Sequence, residues 1–218
     1  GYAIMISAGA MIAILLAALA VAPTAETDAP LAQSLVRRLE ERQARAQDMT
    51  ARFVQSYRSG ILGREVVERG IVRLKRPGRM LWEYKDPEKK TFLSDGKSYY
   101  FYVPADRQVI VRDQDEERGV ATRLLSGKGG LLQEFEASLD APPAEGVYRL
   151  RLLPRKEDPE IQVLILDVEP SGLLRAIQVE DAQGNRSRFR FDEVRENTGL
   201  PDRLFRFEVP PGVEVIRG

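Results

Sequence analysis

Apolar and polar residues alternate with a period of two through most of this chain. Residues 72–84 read VRLKRPGRMLWEY. This is a strand, a Pro77-Gly78 turn and a second strand. Successive side chains of a strand point to opposite faces, so Val72, Leu74 and Arg76 share one face. The same parity after the turn adds Met80, Trp82 and Tyr84. The alternation recurs from Asp48, where Met49, Ala51, Phe53, Gln55 and Tyr57 share a parity, and again over 65–75, 79–85, 91–93, 98–103 and 108–112. It resumes over 148–153, 162–168, 174–180, 186–193 and near 205–209. Asp95-Gly96, Gly172 and Gln183-Gly184-Asn185 supply turns.

About eleven strands joined by short hairpins make an antiparallel sheet. Tyr148, Leu150 and Leu152 oppose Arg149 and Arg151, and Phe189 and Phe191 oppose Arg188 and Arg190, so one face is apolar and the other solvated. Such a face must be covered. The expected fold class is mainly β (α+β): a single curved antiparallel sheet forming an incomplete barrel, with helices closing its opening. Which of the tyrosine-rich faces of 98–103 points inward is open at this level.

Two regions break the strand pattern. Residues 31–47 carry Leu31, Leu35, Val36 and Leu39 on one helical stripe. Residues 120–139, VATRLLSGKGGLLQEFEASL, place Leu124, Leu125, Leu131, Leu132, Phe135 and Leu139 at helical spacing, and Gly127, Gly129 and Gly130 divide them into two short helices. Residues 1–25 differ from the rest. The run from Ala3 to Ala22 has no charge, and it reads as a secretory signal peptide, or as an N-terminal anchor, ahead of one domain over 26–218.

The chain has 33 Lys and Arg against 33 Asp and Glu, so no global field recruits nucleic acid. It has no cysteine and no histidine, which removes thiol chemistry, thiolate metal sites and the commonest general base. Glu83 with Asp86 or Glu88 is a nominal carboxylate pair without fixed geometry. The acidic run Asp113, Asp115, Glu116 and Glu117 lacks the spacing of a calcium loop and reads as a solvated turn. The basic sets Arg73, Lys75, Arg79 and Arg186, Arg188, Arg190 read as solvated strand faces, or as a docking surface for an acidic partner.

The stretches VRLKRPGRMLWEYKDP, SDGKSYYFYVPADRQV, LRAIQVEDAQGNRSRFRF and LFRFEVPPGVEVI occur in order within residues 31–216. Together they resemble the LolA-type outer-membrane lipoprotein carriers. The resemblance implies a periplasmic carrier, a monomer without cofactor, whose helical lid covers an apolar cavity. That cavity takes the acyl chains of lipoproteins released by an inner-membrane ABC-type complex and delivers them to an outer-membrane acceptor. The related acceptor is anchored through a lipidated cysteine, which favours the carrier here. An envelope sensor or regulatory domain of the same fold is the alternative, and a relative carrying another lipid a third reading.

The family's KRP arginine falls on Arg76, which the resemblance casts as a latch hydrogen-bonded to lid backbone. By parity alone Arg76 equally reads as a strand-end side chain reaching solvent. The lid implied is the first helix, with Leu35 and Leu39, plus Leu124, Leu125, Leu132 and Phe135. The cavity wall implied is Phe53, Leu74, Met80, Trp82, Phe101, Leu150, Ile177 and Phe189. In a single-sheet barrel, core and ligand-lining residues share one face, so these eight also read as core.

Overall fold

The computed structural model of the protein describes residues 25–113 and 120–218; the leader-like run 1–24 and most of the acidic turn, 114–119, lie outside the described residues. The first helix, α1, spans Ala25–Arg45 and includes Pro30, so it begins earlier than the apolar stripe suggests. A meander follows: β1 (Asp48–Arg58), β2 (Glu65–Lys75), β3 (Arg79–Asp86), β4 (Lys90–Asp95), β5 (Ser98–Val103) and β6 (Gln108–Asp113). Two short helices, α2 (Val120–Leu125) and α3 (Leu131–Glu134), lead to β7 (Phe135–Ala144), β8 (Val147–Pro154), β9 (Val163–Val168), β10 (Leu174–Glu180) and β11 (Arg186–Glu196). The last strand, β12, is Glu214–Arg217.

All twelve form one open curved sheet in the order β12-β6-β5-β4-β3-β2-β1-β11-β10-β9-β8-β7. The two meanders meet where β1 pairs with β11, with Phe53 opposite Phe191. Cross-strand register carries a single parity over the sheet. Ala51 lies beside Val72, Val72 beside Trp82, Trp82 beside Phe92 and Phe92 beside Phe101. On the other half Phe189 faces Ile177, Ile177 faces Leu166, and Leu166 faces Leu150. This inner face packs on Ala32, Leu35, Val36 and Leu39 of α1 and on Leu124 and Leu125 of α2, making the main core. Tyr99 follows the inner parity beside Ser94, whereas the Tyr100 ring stacks on Phe207 at 5.0 Å on the outer face.

Three sequence expectations are corrected. Helix does not continue to Leu139: it stops at Glu134, and Phe135 opens β7. Phe135, Ala137 and Leu139 alternate against Pro154, Leu152 and Leu150 of β8, and that pairing overrides a spacing that suited either structure. Residues 205–209 are not a strand, because a 3-10 turn covers Asp202–Phe205. Prolines at 201, 210 and 211 withhold ladder donors around it. The sheet is also not wholly antiparallel, since β12 runs parallel to β6.

The segment after β11 crosses to the outer face, where Phe205 joins Leu81 and Leu93 in a second, smaller core. Asp48 fixes the crossing. Its buried carboxylate accepts the backbone N–H groups of Thr198 and Gly199 at 2.8 Å and of Leu200 at 3.0 Å. Burial pushes the carboxyl up, but the N–H groups of Leu200, Thr198 and Gly199 and the Thr198 hydroxyl outweigh it and hold it below its ordinary value. A depressed carboxylate stabilises the fold above its unfolded pKa of about 3.9 and loses that contribution as pH falls through the lower native value. Asp48→Ala strands three donors and should cost about 2–3 kcal/mol at pH 7. In urea denaturation the gap between wild type and Asp48→Ala should narrow steadily below about pH 4; a gap independent of pH would show that the carboxylate charge contributes nothing.

Candidate functional site

Arg76 follows the last residue of β2 and turns back under the helices. Its Nε donates to the Ala46 carbonyl at 2.8 Å, and its Nη1 donates to the Ser126 carbonyl at 2.5 Å. Ala46 follows the last residue of α1, and Ser126 follows the last residue of α2. A helix C-terminus carries unsatisfied carbonyls and a partial negative charge. One guanidinium therefore neutralises two helix ends at once, which a monodentate side chain could not do. Burial pulls its pKa below the ordinary value, yet an arginine stays protonated in a protein.

The backbone beyond α2 is shaped to this contact. Gly127 has φ 70°, and a Cβ there would overlap the Arg76 guanidinium. Only glycine gives both the left-handed conformation and room for that group. A second tie joins α1 to α3, where the Glu40 carboxylate accepts the Leu131 N–H at 2.8 Å.

The sheet beneath is aromatic at its centre. Phe53 meets Trp82 edge to face at 5.1 Å and Tyr84 at 4.9 Å, and Trp82 meets Phe189 at 5.4 Å. Gly70 lies opposite Phe53 on β2, where a Cβ would fall 2.9 Å from the Phe53 ring. Of the eight wall residues expected, Phe53, Met80, Trp82, Leu150 and Ile177 are buried in the main core, and Leu74 and Phe189 pack against it half-buried. Phe101 stands beside them at the edge of a cleft.

Of the lid residues expected, Leu35 and Leu39 lie in α1, Leu124 and Leu125 in α2, and Leu132 in α3. Phe135 belongs to the sheet. Clefts flank α2 on both sides. One of ≈ 230 Å³ lies toward Trp82, Tyr84 and Phe101, and one of ≈ 630 Å³ toward Pro77, Asp95 and Tyr99; Thr122 lines both. α2 thus bridges the β3–β5 half of the inner face without filling it.

The polar members of this face carry no signature in the sequence that groups them. Tyr84 Oη donates to Gln55 Oε1 at 2.7 Å, and Lys90 Nζ lies 2.6 Å from Glu68 and 4.6 Å above the Tyr84 ring. Parity alone places Gln55 and Tyr84 here; Glu68 and Lys90 need the cross-strand register.

The basic sets on the outer face are paired within the fold. Arg73 pairs with Glu83, Lys75 and Arg79 with Asp202, Arg186 with Glu180, Arg188 with Asp167 and Arg190 with Asp192. Asp86 pairs with Arg69, so neither carboxylate of the nominal pair Glu83 and Asp86 stands alone. Among the described residues no group of His, Cys, Asp or Glu could hold a metal ion, and no helix is long and apolar enough to cross a membrane.

The family model "Outer membrane lipoprotein carrier protein LolA" matches residues 44–208. The chain is 32% identical over 184 residues to the outer-membrane lipoprotein carrier protein of Pseudomonas paraeruginosa, covering 84% of this chain and 87% of that protein. It is 33% identical over 149 residues to the corresponding protein of Chromohalobacter salexigens, covering 68% of this chain and 70% of that one. An uncharacterized conserved protein from Thermus thermophilus has the same fold, with a TM-score of 0.55 at 14% identity over 86% of this chain and 99% of that one. The matched region runs from the end of α1, through β2 and α2, to the outer-face segment, and the chain belongs to the LolA family of outer membrane lipoprotein carrier proteins.

Proposed function

We propose that this protein is a periplasmic carrier whose inner sheet face receives the acyl chains of lipoproteins, with Arg76 as the latch of its lid. It would take cargo from an inner-membrane ABC-type complex and yield it to an outer-membrane acceptor. One observation carries the reading: an apolar sheet face is covered by helices whose two C-termini are pinned by the same guanidinium.

A carrier must bind hydrocarbon and also release it. Burying an acyl chain gains about 0.8 kcal/mol per CH2, on the order of 10 kcal/mol for one long chain. Binding of that strength alone would make delivery slow. Each hydrogen bond to a charged group contributes roughly 1.5–3 kcal/mol. Lifting α1 and α2 away from Arg76 forfeits two of them, which reduces net affinity without removing it. The latch therefore trades binding strength for release. Its carbonyl partners accept from the guanidinium in any sequence context, so the device depends on the arginine and on the backbone's approach.

Co-expression with a lipoprotein, followed by native mass spectrometry, tests the carrier reading. Lipidated cargo should co-purify; its absence, under conditions where the Pseudomonas paraeruginosa relative retains it, would contradict the reading. Arg76→Leu removes both latch bonds and adds apolar surface. Cargo affinity should rise at least about a hundredfold, the lower bound for two such bonds, and transfer to the acceptor should slow by a similar factor; transfer at the wild-type rate would remove Arg76 from this role. Gly127→Ala leaves the arginine in place but obstructs its seat, so it should slow transfer in the same direction. Normal transfer by Gly127→Ala with an intact latch would show that the close approach is dispensable.

A further inference from the structure

Beside the cleft next to α2 lies a buried donor with no partner among the described residues. Trp82, the chain's one tryptophan, is 4% exposed, and its indole N–H has no hydrogen-bond partner among the described residues. An indole N–H can only donate, and a buried donor left unpaired forfeits its hydration without return. Trp82 lines the ≈ 230 Å³ cleft together with Phe101, Phe189 and the polar side chains Tyr84, Lys90 and Glu68, under Ala121 and Thr122 of α2.

The polar rim limits what the donor can meet. Lys90 and Glu68 neutralise each other at 2.6 Å, with side chains only 21% and 17% exposed. The Tyr84 hydroxyl is committed to Gln55, and burial beside Glu68 pushes its pKa up, so it stays neutral. Among the described residues the cleft thus has one unpaired donor, carried by the wall residue Trp82 and sealed from solvent with α2 in place, together with aromatic walls and a rim whose charges cancel. A free fatty acid would bring a carboxylate next to Glu68 with no unpaired cation to receive it. An ester carbonyl is different: it only accepts, it carries no charge, and it has hydrocarbon on one side and a short polar backbone on the other.

We propose that the Trp82 indole N–H binds an acyl-ester carbonyl of a glycerolipid anchor, setting how deeply the acyl chains enter beneath α2. Trp82 then selects ester-linked chains over plain hydrocarbon of equal length. The inference rests on the carrier reading above and names the part of the cargo that the inner face recognises.

The test compares 1,2-dipalmitoylglycerol with its 1,2-di-O-hexadecyl ether, which has chains of the same length and no carbonyls. The two lipids compete for the full chain, and occupancy is read by native mass spectrometry. Wild type should prefer the ester by about tenfold, the worth of one hydrogen bond. Trp82→Phe, which keeps an aromatic ring against Phe53 and Phe189, should bind the two lipids equally, with ether affinity changed less than about threefold. Ester preference that persists in Trp82→Phe overturns the proposal, and so does a wild type that binds both lipids alike. A wild type that binds neither lipid overturns the carrier reading together with this one. If Trp82→Phe binds neither, the single tryptophan is replaced by benzothienylalanine, which keeps the bicyclic shape without the N–H, and its ester-to-ether ratio decides.

Discussion

A sheet that is apolar along one whole face cannot stand uncovered in water, and the helices of this protein answer to that constraint. The face runs across both meanders, from Phe101 through Trp82, Val72 and Phe191 to Leu150. On the β7–β10 half the cover is α1, packed tightly enough to bury Leu35, Val36 and Leu39 almost completely. On the β3–β5 half it is the short α2, with a cleft to each side. Six residues of helix have no independent stability. α2 stays on the sheet through Leu124 and Leu125 below it and Arg76 at its end. The cover is consequently close over the β7–β10 half and flanked by clefts over the β3–β5 half.

The outer face solves a different problem with ion pairs and one anchored segment. Asp167 is 8% exposed and receives Arg149 Nε at 2.8 Å and Arg188 at 2.8 Å. Burial would raise its pKa, but the hydrogen bonds and charges of the two arginines hold it below the ordinary carboxylate value. The basic strand faces are therefore partners of nearby carboxylates rather than free charge for a docking protein. Asp48 works similarly on backbone donors, securing the segment that lays Phe205 and Phe207 over β3–β5. These contacts tie the strands and the crossing segment together on the outer face.

Much of this was legible in the residues. Alternation identified β1–β6 and β8–β11 but neither β7 nor β12, and the glycines at 127, 129 and 130 separated α2 from α3 as their spacing suggested. Phe135 misled because its distance from Leu131 and Leu132 fits a helix, while its pairing with Pro154 exists only once β8 is beside it. The parallel β12 and the outer-face turn at Asp202–Phe205 follow from Asp48 holding residues 198–200. No local pattern reports a contact across 150 positions. Arg76 was visible as an anomaly of parity, and its partners were not, because Ala46 and Ser126 contribute only backbone carbonyls. The unpaired N–H of Trp82 is likewise a property of surroundings rather than of sequence.

The central claim is that α2 moves relative to the sheet when lipid binds. The 218 residues contain no cysteine, so two can be introduced for spin labels without other changes. Arg123→Cys places one on α2, and Arg52→Cys places the other on the exposed outer side of β1. The exposed ion pairs lost at these positions contribute little. Double electron–electron resonance should give one narrow distance without lipid and a longer, broader distribution with a saturating diacylglycerol. An unchanged distribution in the lipid-bound protein would contradict the account, because the acyl chains would then have entered without displacing the helix that Arg76 holds.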